Sequence, residues 1–275
     1  MTGLPVTPAR SIIDAAPGNQ KEEAVEVIII GSGTAVPSRR RGAPAVALKA
    51  AGQVVLLDLG AGTLRALLTV DLDFTMIDII GLSHFHVDHV GDLAPFLFAT
   101  HYSLGYHRQT PIWLLAAQGF KDFFRGLKEA FGDWIEPPPG LMKVKELSTA
   151  GPDEVRWDDL IIKTAPVKHI ASSIGFRVEA EGKSVVYSGD TDLSDSLVKL
   201  ATGADLLILE AANPTKIPGH LTPTDAGLLA ARTGVPRLVL THFYPPCDQM
   251  DVVAACAQHY SGEIIRAEDG LRVAV

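Results

Sequence analysis

Three imidazoles and one carboxylate occupy six consecutive positions in His84-Phe85-His86-Val87-Asp88-His89. His and Asp are poor core residues, and crowding them together costs desolvation unless something binds them. The alternation His84-x-His86-x-Asp88 sends the first two imidazoles one way. Asp88 and His89 can then turn toward an adjacent point, which is the geometry of two neighbouring metal sites. The apolar run over 77–82 before this motif reads as a buried strand, and a helix follows from about Asp92 over 92–105. The donors therefore sit in a short turn at the carboxyl end of a strand.

Three more polar residues stand just past apolar runs. His169 follows the run that starts at Ile161, Asp190 follows Ser184-Val185-Val186, and His242 ends Leu238-Val239-Leu240-Thr241. Each alone has a plain structural reading as a hydrogen-bonded strand-end residue. Together with the first motif they form a set of donors at strand ends, where ligands of layered α/β folds belong. Imidazole and carboxylate suit zinc, and also manganese or iron. With no cysteine in the set, a hydrolytic di-metal centre is favoured over a structural zinc site.

Other elements must bring these ends together. Strands are expected over 25–30, 45–50 and 53–59, the latter two joined at Gly52 as a hairpin. A helix runs from Gly60 to about Val70, a strand over 112–115 and a helix over 118–131. Pro137-Pro138-Pro139-Gly140 punctuates the chain. Further strands are expected over 144–147, 160–164, 174–179, 184–188, 206–209 and 238–241, with a hairpin at Gly182. Helices fit 193–201, 223–233 (Thr222 as N-cap, Pro223 in the first turn) and 252–259. Strands interleaved with helices in both halves predict an α/β protein of two sheets packed face to face, with helices outside. Gly31-Ser32-Gly33 does not make a dinucleotide site, because Thr34-Ala35-Val36-Pro37 stands where the helix should start. Residues 1–23 read as a flexible leader and 24–275 as one domain.

The 275 residues carry a formal charge of −8, which provides no overall field for nucleic acid or an anionic membrane. Cys247 and Cys256 show neither metal-type nor secreted-disulfide spacing, so a reducing cytoplasm fits best. There is no signal peptide pattern and no apolar run approaching the ~20 residues of a membrane span. Ten of the 18 aromatic residues lie between Phe96 and Trp134. They read as core packing, as an apolar pocket wall beside the site, or as a contact in a homodimer.

The motif at His84 to His89 resembles the H-x-H-x-D-H signature of the metallo-β-lactamase superfamily. Gly31-Ser32-Gly33-Thr34-Ala35-Val36-Pro37, Pro166-Val167-Lys168-His169, Ser188-Gly189-Asp190-Thr191, Glu210-Ala211, Gly219-His220-Leu221-Thr222 and Leu240-Thr241-His242-Phe243 are similar to its ribonuclease Z and phosphodiesterase branch. The resemblance implies a four-layer αββα sandwich of two mixed β-sheets flanked by helices. It implies two divalent metal ions, zinc foremost, with manganese or iron as alternatives. One ion would take His84, His86 and His169, the other Asp88, His89 and His242, with Asp190 bridging. His220 would assist the leaving oxygen with Glu210 orienting it, so that His220, Glu210 and Asp88 form the catalytic set. Asp58 would orient a ligand histidine. His101, His107 and His259 have no matching context.

The expected activity is hydrolysis by a metal-bridging hydroxide, with small or promiscuous phosphodiesters as the leading substrates. Alternatives are tRNA 3′ processing as in ribonuclease Z, or hydrolysis of a lactone, aryl sulfate, phosphotriester or β-lactam. The tRNA-processing enzymes carry a long arm between the positions of His169 and Asp190, where this chain has only 20 residues and room for one hairpin. Arg39-Arg40-Arg41 is its only basic run and reads as a solvated loop, so nucleic acid is disfavoured. A di-iron redox module is disfavoured by His86, since related di-iron proteins usually carry an acidic residue there. The complete donor set argues against a non-catalytic scaffold.

Overall fold

Val27-Ile28-Ile29-Ile30 is apolar on both faces, so a strand built from it must be covered on both sides. In a computed structural model describing residues 25–275, β1 (Glu26–Gly31) meets that demand. Val27 and Ile29 point into the layer between two sheets, while Ile28 and Ile30 face helices on the other side. The leader read over 1–23 lies outside the described residues.

The other strands of the first half are β2 (Ala45–Ala50), β3 (Gln53–Leu57), β4 (Ile79–Leu82), β5 (Ile112–Ala117) and β6 (Met142–Leu147). The second half supplies β7 (Asp153–Arg156), β8 (Leu160–Pro166), β9 (Ile174–Ala180), β10 (Lys183–Tyr187), β11 (Leu206–Glu210), β12 (Arg237–Thr241), β13 (Glu263–Arg266) and β14 (Arg272–Ala274). Two seven-stranded sheets result, in the orders β14-β1-β2-β3-β4-β5-β6 and β13-β12-β11-β10-β9-β8-β7. Both are mixed. In the first, β3 to β6 run parallel and the rest antiparallel. In the second, β10 to β13 run parallel and β7 to β10 pair antiparallel. With these directions, the carboxyl ends of β1, β3, β4, β8, β10, β11 and β12 share one edge of the sandwich.

The helices are α1 (Thr63–Leu67), α2 (Val87–Val90), α3 (Leu93–Tyr102), α4 (Phe120–Phe131), α5 (Asp195–Ala201), α6 (Pro223–Thr233) and α7 (Val252–Ala257). The side chains of α1, α3 and α4 join the outer face of the first sheet. Those of α5, α6 and α7 pack with the second. This is the expected αββα layering. Thr222 and Asp225 form a reciprocal cap at the start of α6, with Pro223 following as expected. Among the described residues no helix is long and apolar enough to cross a membrane.

The structure departs from the sequence expectation in several places. The helix expected over 92–105 ends at Tyr102, and the separate turn α2 precedes it. β3 stops at Leu57 because Asp58 adopts a left-handed conformation, φ 57°. The strands β7, β13 and β14 were not expected, and β6 starts two residues before the expected Val144. These four are the outer edges of the two sheets. Edge strands are short and charge-bearing, as Asp153-Glu154-Val155-Arg156 shows, so tertiary pairing rather than pattern forms them.

Arg39-Arg40-Arg41 is only partly the solvated loop expected. Arg39 and Arg40 are exposed, but Arg41 is buried. Its guanidinium donates to Asp248, to Ser32 Oγ (2.7 Å) and to the Ala267 carbonyl (2.7 Å), and lies 4.6 Å from the Phe243 ring centre. A run of three identical residues carries no periodicity from which the inward one could be picked.

Candidate metal centre

The strand β4 ends at Leu82, Ser83 to His86 turn across the shared edge, and α2 follows, carrying Asp88 and His89. Two glycines permit that turn. A Cβ on Gly60 would lie 2.0 Å from the Asp88 carbonyl oxygen, and one on Gly189 would lie 2.6 Å from Ser83 Cβ. Gly189 also has φ +56°. Asp92 anchors the far side of the turn, accepting the Gly62 and Leu64 amides that open α1 (3.0 and 2.8 Å).

The structure brings all seven predicted donors together. His84 Nε2 and His169 Nε2 each lie 3.0 Å from His86 Nδ1, and each lies 3.8 Å from Asp190 Oδ2. A second group forms beside it. His89 Nε2 and His242 Nε2 are both 3.2 Å from Asp190 Oδ1, and stand 3.9 and 3.6 Å from Asp88 Oδ2. Asp190 thus offers one oxygen to each group. His84, His89, Asp190 and His242 are buried, while His86 lies at the exposed edge.

A divalent metal fits this arrangement by chemistry. Among the described residues, His89 Nε2, Asp190 Oδ1 and His242 Nε2 are buried with no hydrogen-bond partner. Polar atoms left that way cost free energy, and here they converge. The donors comprise imidazole and carboxylate, the set suited to zinc, manganese or iron. Burial, reinforced by repulsion from His89, pushes His84 down to about 2, so its imidazole is a neutral donor. Burial alone would raise Asp190, yet His242 and His89 hold it well below the usual carboxylate range. Burial opposes charge on His89 too, and the Asp190 and Asp58 carboxylates outweigh it and raise its pKa.

Asp58, fully buried after β3, holds the second group from behind. Its Oδ2 accepts from His89 Nδ1 (2.7 Å), Ser83 Oγ (2.7 Å) and Tyr187 OH (2.8 Å), while Oδ1 accepts the Ser83 amide (2.7 Å). His169 Nδ1 donates to the Gly219 carbonyl (2.9 Å), and the Ala35 amide donates to Asp88 Oδ2 (3.1 Å). Both contacts orient candidate donor atoms. His242, like Asp58, occupies the left-handed region, φ 60°, a strained state for a non-glycine residue.

His220 sits at the rim with Glu210 behind it. Its Nδ1 lies 3.2 Å from Glu210 Oε1 and 3.9 Å from Asp190 Oδ2, and its ring is parallel to that of His242 at 5.8 Å. Glu210 is fixed by the Thr191 and Leu221 amides (2.6 and 3.2 Å). Burial raises the Glu210 pKa against the opposing His220 bond. Burial opposes charge on His220, but Glu210, Asp190 and Asp88 raise it. Both shifts favour a proton held between the pair. Lys216 ties down the loop by donating to Asp192 (2.5 Å), the His220 carbonyl (2.8 Å) and Asp225 (3.2 Å).

Sequence reasoning did not single out Ser83, Tyr187 or Tyr244. The Tyr244 ring lies 6.3 Å from His220 and 6.0 Å from His242. Its position two residues beyond His242 was the only signal for it. His101 and His107 stand outside the centre, as expected, His101 bonding the Glu136 carbonyl.

The family model described as Beta-lactamase superfamily domain matches residues 54–243. A ribonuclease Z of Mycobacterium bovis (strain BCG / Pasteur 1173P2) is 31% identical over 279 residues, covering 91% of this chain and 98% of that protein. The solved short form of human tRNase Z is 28% identical with TM-score 0.72, covering 91% of this chain and 99% of that one. The metallo-beta-lactamase fold protein YhfI of Bacillus subtilis is 22% identical with TM-score 0.76, covering 90% and 98%, and shows the shared fold. The chain belongs to the beta-lactamase superfamily, as a metal-dependent hydrolase of the metallo-β-lactamase fold related to the ribonuclease Z proteins.

Proposed function

We propose that the domain over residues 24–275 is a phosphodiesterase acting on small phosphodiesters. One observation carries this reading: only β9, β10 and their tight turn at Gly182 fill the interval from His169 to Asp190. No arm projects there to hold a folded RNA. The M. bovis relative aligns along 279 positions with only 91% of this 275-residue chain, so part of that protein has no counterpart here. A formal charge of −8 supports the same reading, since RNA binding draws on phosphate-neutralising cations.

His84, His86 and His169 would hold one divalent ion, and Asp88, His89 and His242 the other, with Asp190 shared; zinc is the first choice. When bound, such a pair supplies water activation at neutral pH and neutralises phosphoryl charge. The chain's own groups do the rest. Glu210 accepts from His220 Nδ1, which leaves Nε2 to hand a proton to the departing alkoxide. The half-buried Tyr244 hydroxyl is available to donate to a phosphoryl oxygen at the same rim. Asp58, Gly219 and the Ala35 amide keep the donor atoms in place.

The second reading, tRNA 3′ cleavage, is favoured by the identity with proteins named ribonuclease Z. A substrate panel with zinc, manganese and iron reconstituted in turn separates the two. Bis-aryl phosphate and cyclic nucleotides should turn over faster than aryl sulfate, a lactone or precursor tRNA. Fast cleavage of precursor tRNA at one position would overturn the ranking.

A further inference from the structure

A cavity of about 630 Å³ lies against the same loop that carries the donor atoms. Phe85 of the loop and Val87 at the start of α2 form one wall, Phe98 of α3 a second, Phe123 and Leu127 of α4 a third, with the exposed Trp134 beside them. No charged side chain lines it. On α4, Phe123, Leu127 and Phe131 are spaced four apart and form an apolar stripe facing this space, while Arg125, Lys128 and Glu129 lie between them in sequence. Phe85 stacks on Phe123 with ring centres 5.0 Å apart and 8° between planes, so the loop and helix are locked together. Yet Val87 is 71%, Phe131 52% and Trp134 60% exposed. A patch of that kind marks a binding surface.

Continuity decides the occupant. Phe85 and Val87 alternate with His84, His86 and Asp88, so the groove and the donor cluster share one segment of backbone. His86 of the cluster and Val87 of the groove are sequence neighbours on an exposed edge, about 3.8 Å of chain from one Cα to the next. A group reacting at the cluster can lay a substituent over that edge without leaving the protein surface. The volume suits a small-molecule subsite. The lack of any cation or carboxylate excludes a phosphate chain and selects an apolar substituent.

We propose that this groove is the subsite for an apolar alcohol, alkyl or aryl, esterified to the phosphoryl group processed at the cluster. The inference rests on the phosphodiesterase reading above and narrows its substrate class. Burial of each methylene predicts affinity rising about three- to fourfold per carbon until the groove is full.

Two measurements test it on the full chain. The first is calorimetric titration, in chelator, with normal alcohols from butanol to decanol. The second, with metal restored, is the Michaelis constant for alkyl nitrophenyl phosphodiesters whose alkyl chains have the same lengths. Both should tighten with chain length in the wild type, and the dependence should flatten in Leu127→Glu and in Trp134→Ser. Trp134 is exposed enough that its replacement leaves the fold intact, which thermal melting checks. If alcohols bind with this slope but no phosphodiester is hydrolysed, the apolar subsite stands and the phosphodiester reading fails. If diesters are hydrolysed with a Michaelis constant independent of length and alcohols do not bind, the subsite is overturned and the phosphodiester reading stands. A dimer that Phe131→Glu dissociates, together with no alcohol binding, would make the groove a subunit contact and also overturn the proposal.

Discussion

Replacing Asp58 with Asn tests the claim that this carboxylate organises the centre. The side chain accepts four hydrogen bonds, three on Oδ2 and one on Oδ1, at 2.7 to 2.8 Å. An Asn amide best replaces it by turning its oxygen to the Oδ2 position. Its NH₂ then faces the buried Ser83 amide, donor against donor. One buried donor left unsatisfied costs about 1–3 kcal/mol. The three remaining bonds lose their charge assistance, which roughly halves each. A total of about 2–4 kcal/mol follows, lowering Tm by roughly 5–10 °C in a chain of this size. The backbone is not a confounding cost, because Asn tolerates the left-handed conformation at this position, φ 57°. Loosening His89 should also weaken metal binding about 10–100-fold. Scanning calorimetry of the chelated protein reads the first effect, and competition with a chromogenic chelator reads the second. A variant matching the wild type in both Tm and metal affinity would refute the role assigned to Asp58.

His220→Ala should keep its metal content, measured by atomic emission, and lose about 10²–10⁴-fold in turnover; undiminished turnover would remove His220 from proton transfer. Asp190→Ala should lose both ions, and two metals per chain retained by that variant would show that its oxygens are not shared. Asp248→Asn removes the carboxylate that holds the buried Arg41, at a cost of about 2–3 kcal/mol by urea denaturation near pH 7. Burial opposes ionisation of Asp248, but Arg41 and Arg266 hold its pKa below the ordinary value. The stability it contributes is therefore complete above the unfolded carboxylate pKa of about 3.9 and fades as pH falls through the lower folded one. The gap between wild type and variant should be flat from pH 5 to 7 and close below about pH 4; a gap that widens in acid would contradict the assignment. Gly60→Ala places a methyl on the Asp88 carbonyl oxygen and should destabilise by more than about 3 kcal/mol in the same denaturation assay, whereas a neutral result would mean the motif turn can shift freely.

The centre was legible because its donors violate the patterns around them: His84, His169, Asp190 and His242 each follow an apolar run that gives no reason for a polar side chain. The interior strands were legible for the same reason in reverse, as β1 and β11 are apolar on both faces. Asp58 was visible as a strand-end acid, but nothing in Leu57-Asp58-Leu59 reveals that Tyr187, more than 100 positions away, donates to it. The four sheet edges escaped or were shortened because their side chains are set by solvent on one side and by a single neighbour on the other. Arg41 escaped because its burial depends on Asp248 and Phe243, which only the folded chain brings near. Tyr244 was hidden by its ordinary surroundings, Phe243 before it and two prolines after it.

The donor atoms come from both sheets, His84 to His89 from beyond β4 and His169, Asp190 and His242 from beyond β8, β10 and β12. The centre therefore spans a seam and measures how the two sheets slide against one another. A shear of a few tenths of an ångström, harmless to the apolar layer, would change every distance across the seam at once. The packing that resists such shear lies deep in the molecule, where the Phe176 ring fills the space above Gly81 so closely that a Cβ there would lie 3.1 Å from it. Substitutions at that joint, remote from any reacting atom, should alter metal stoichiometry before they alter the melting temperature.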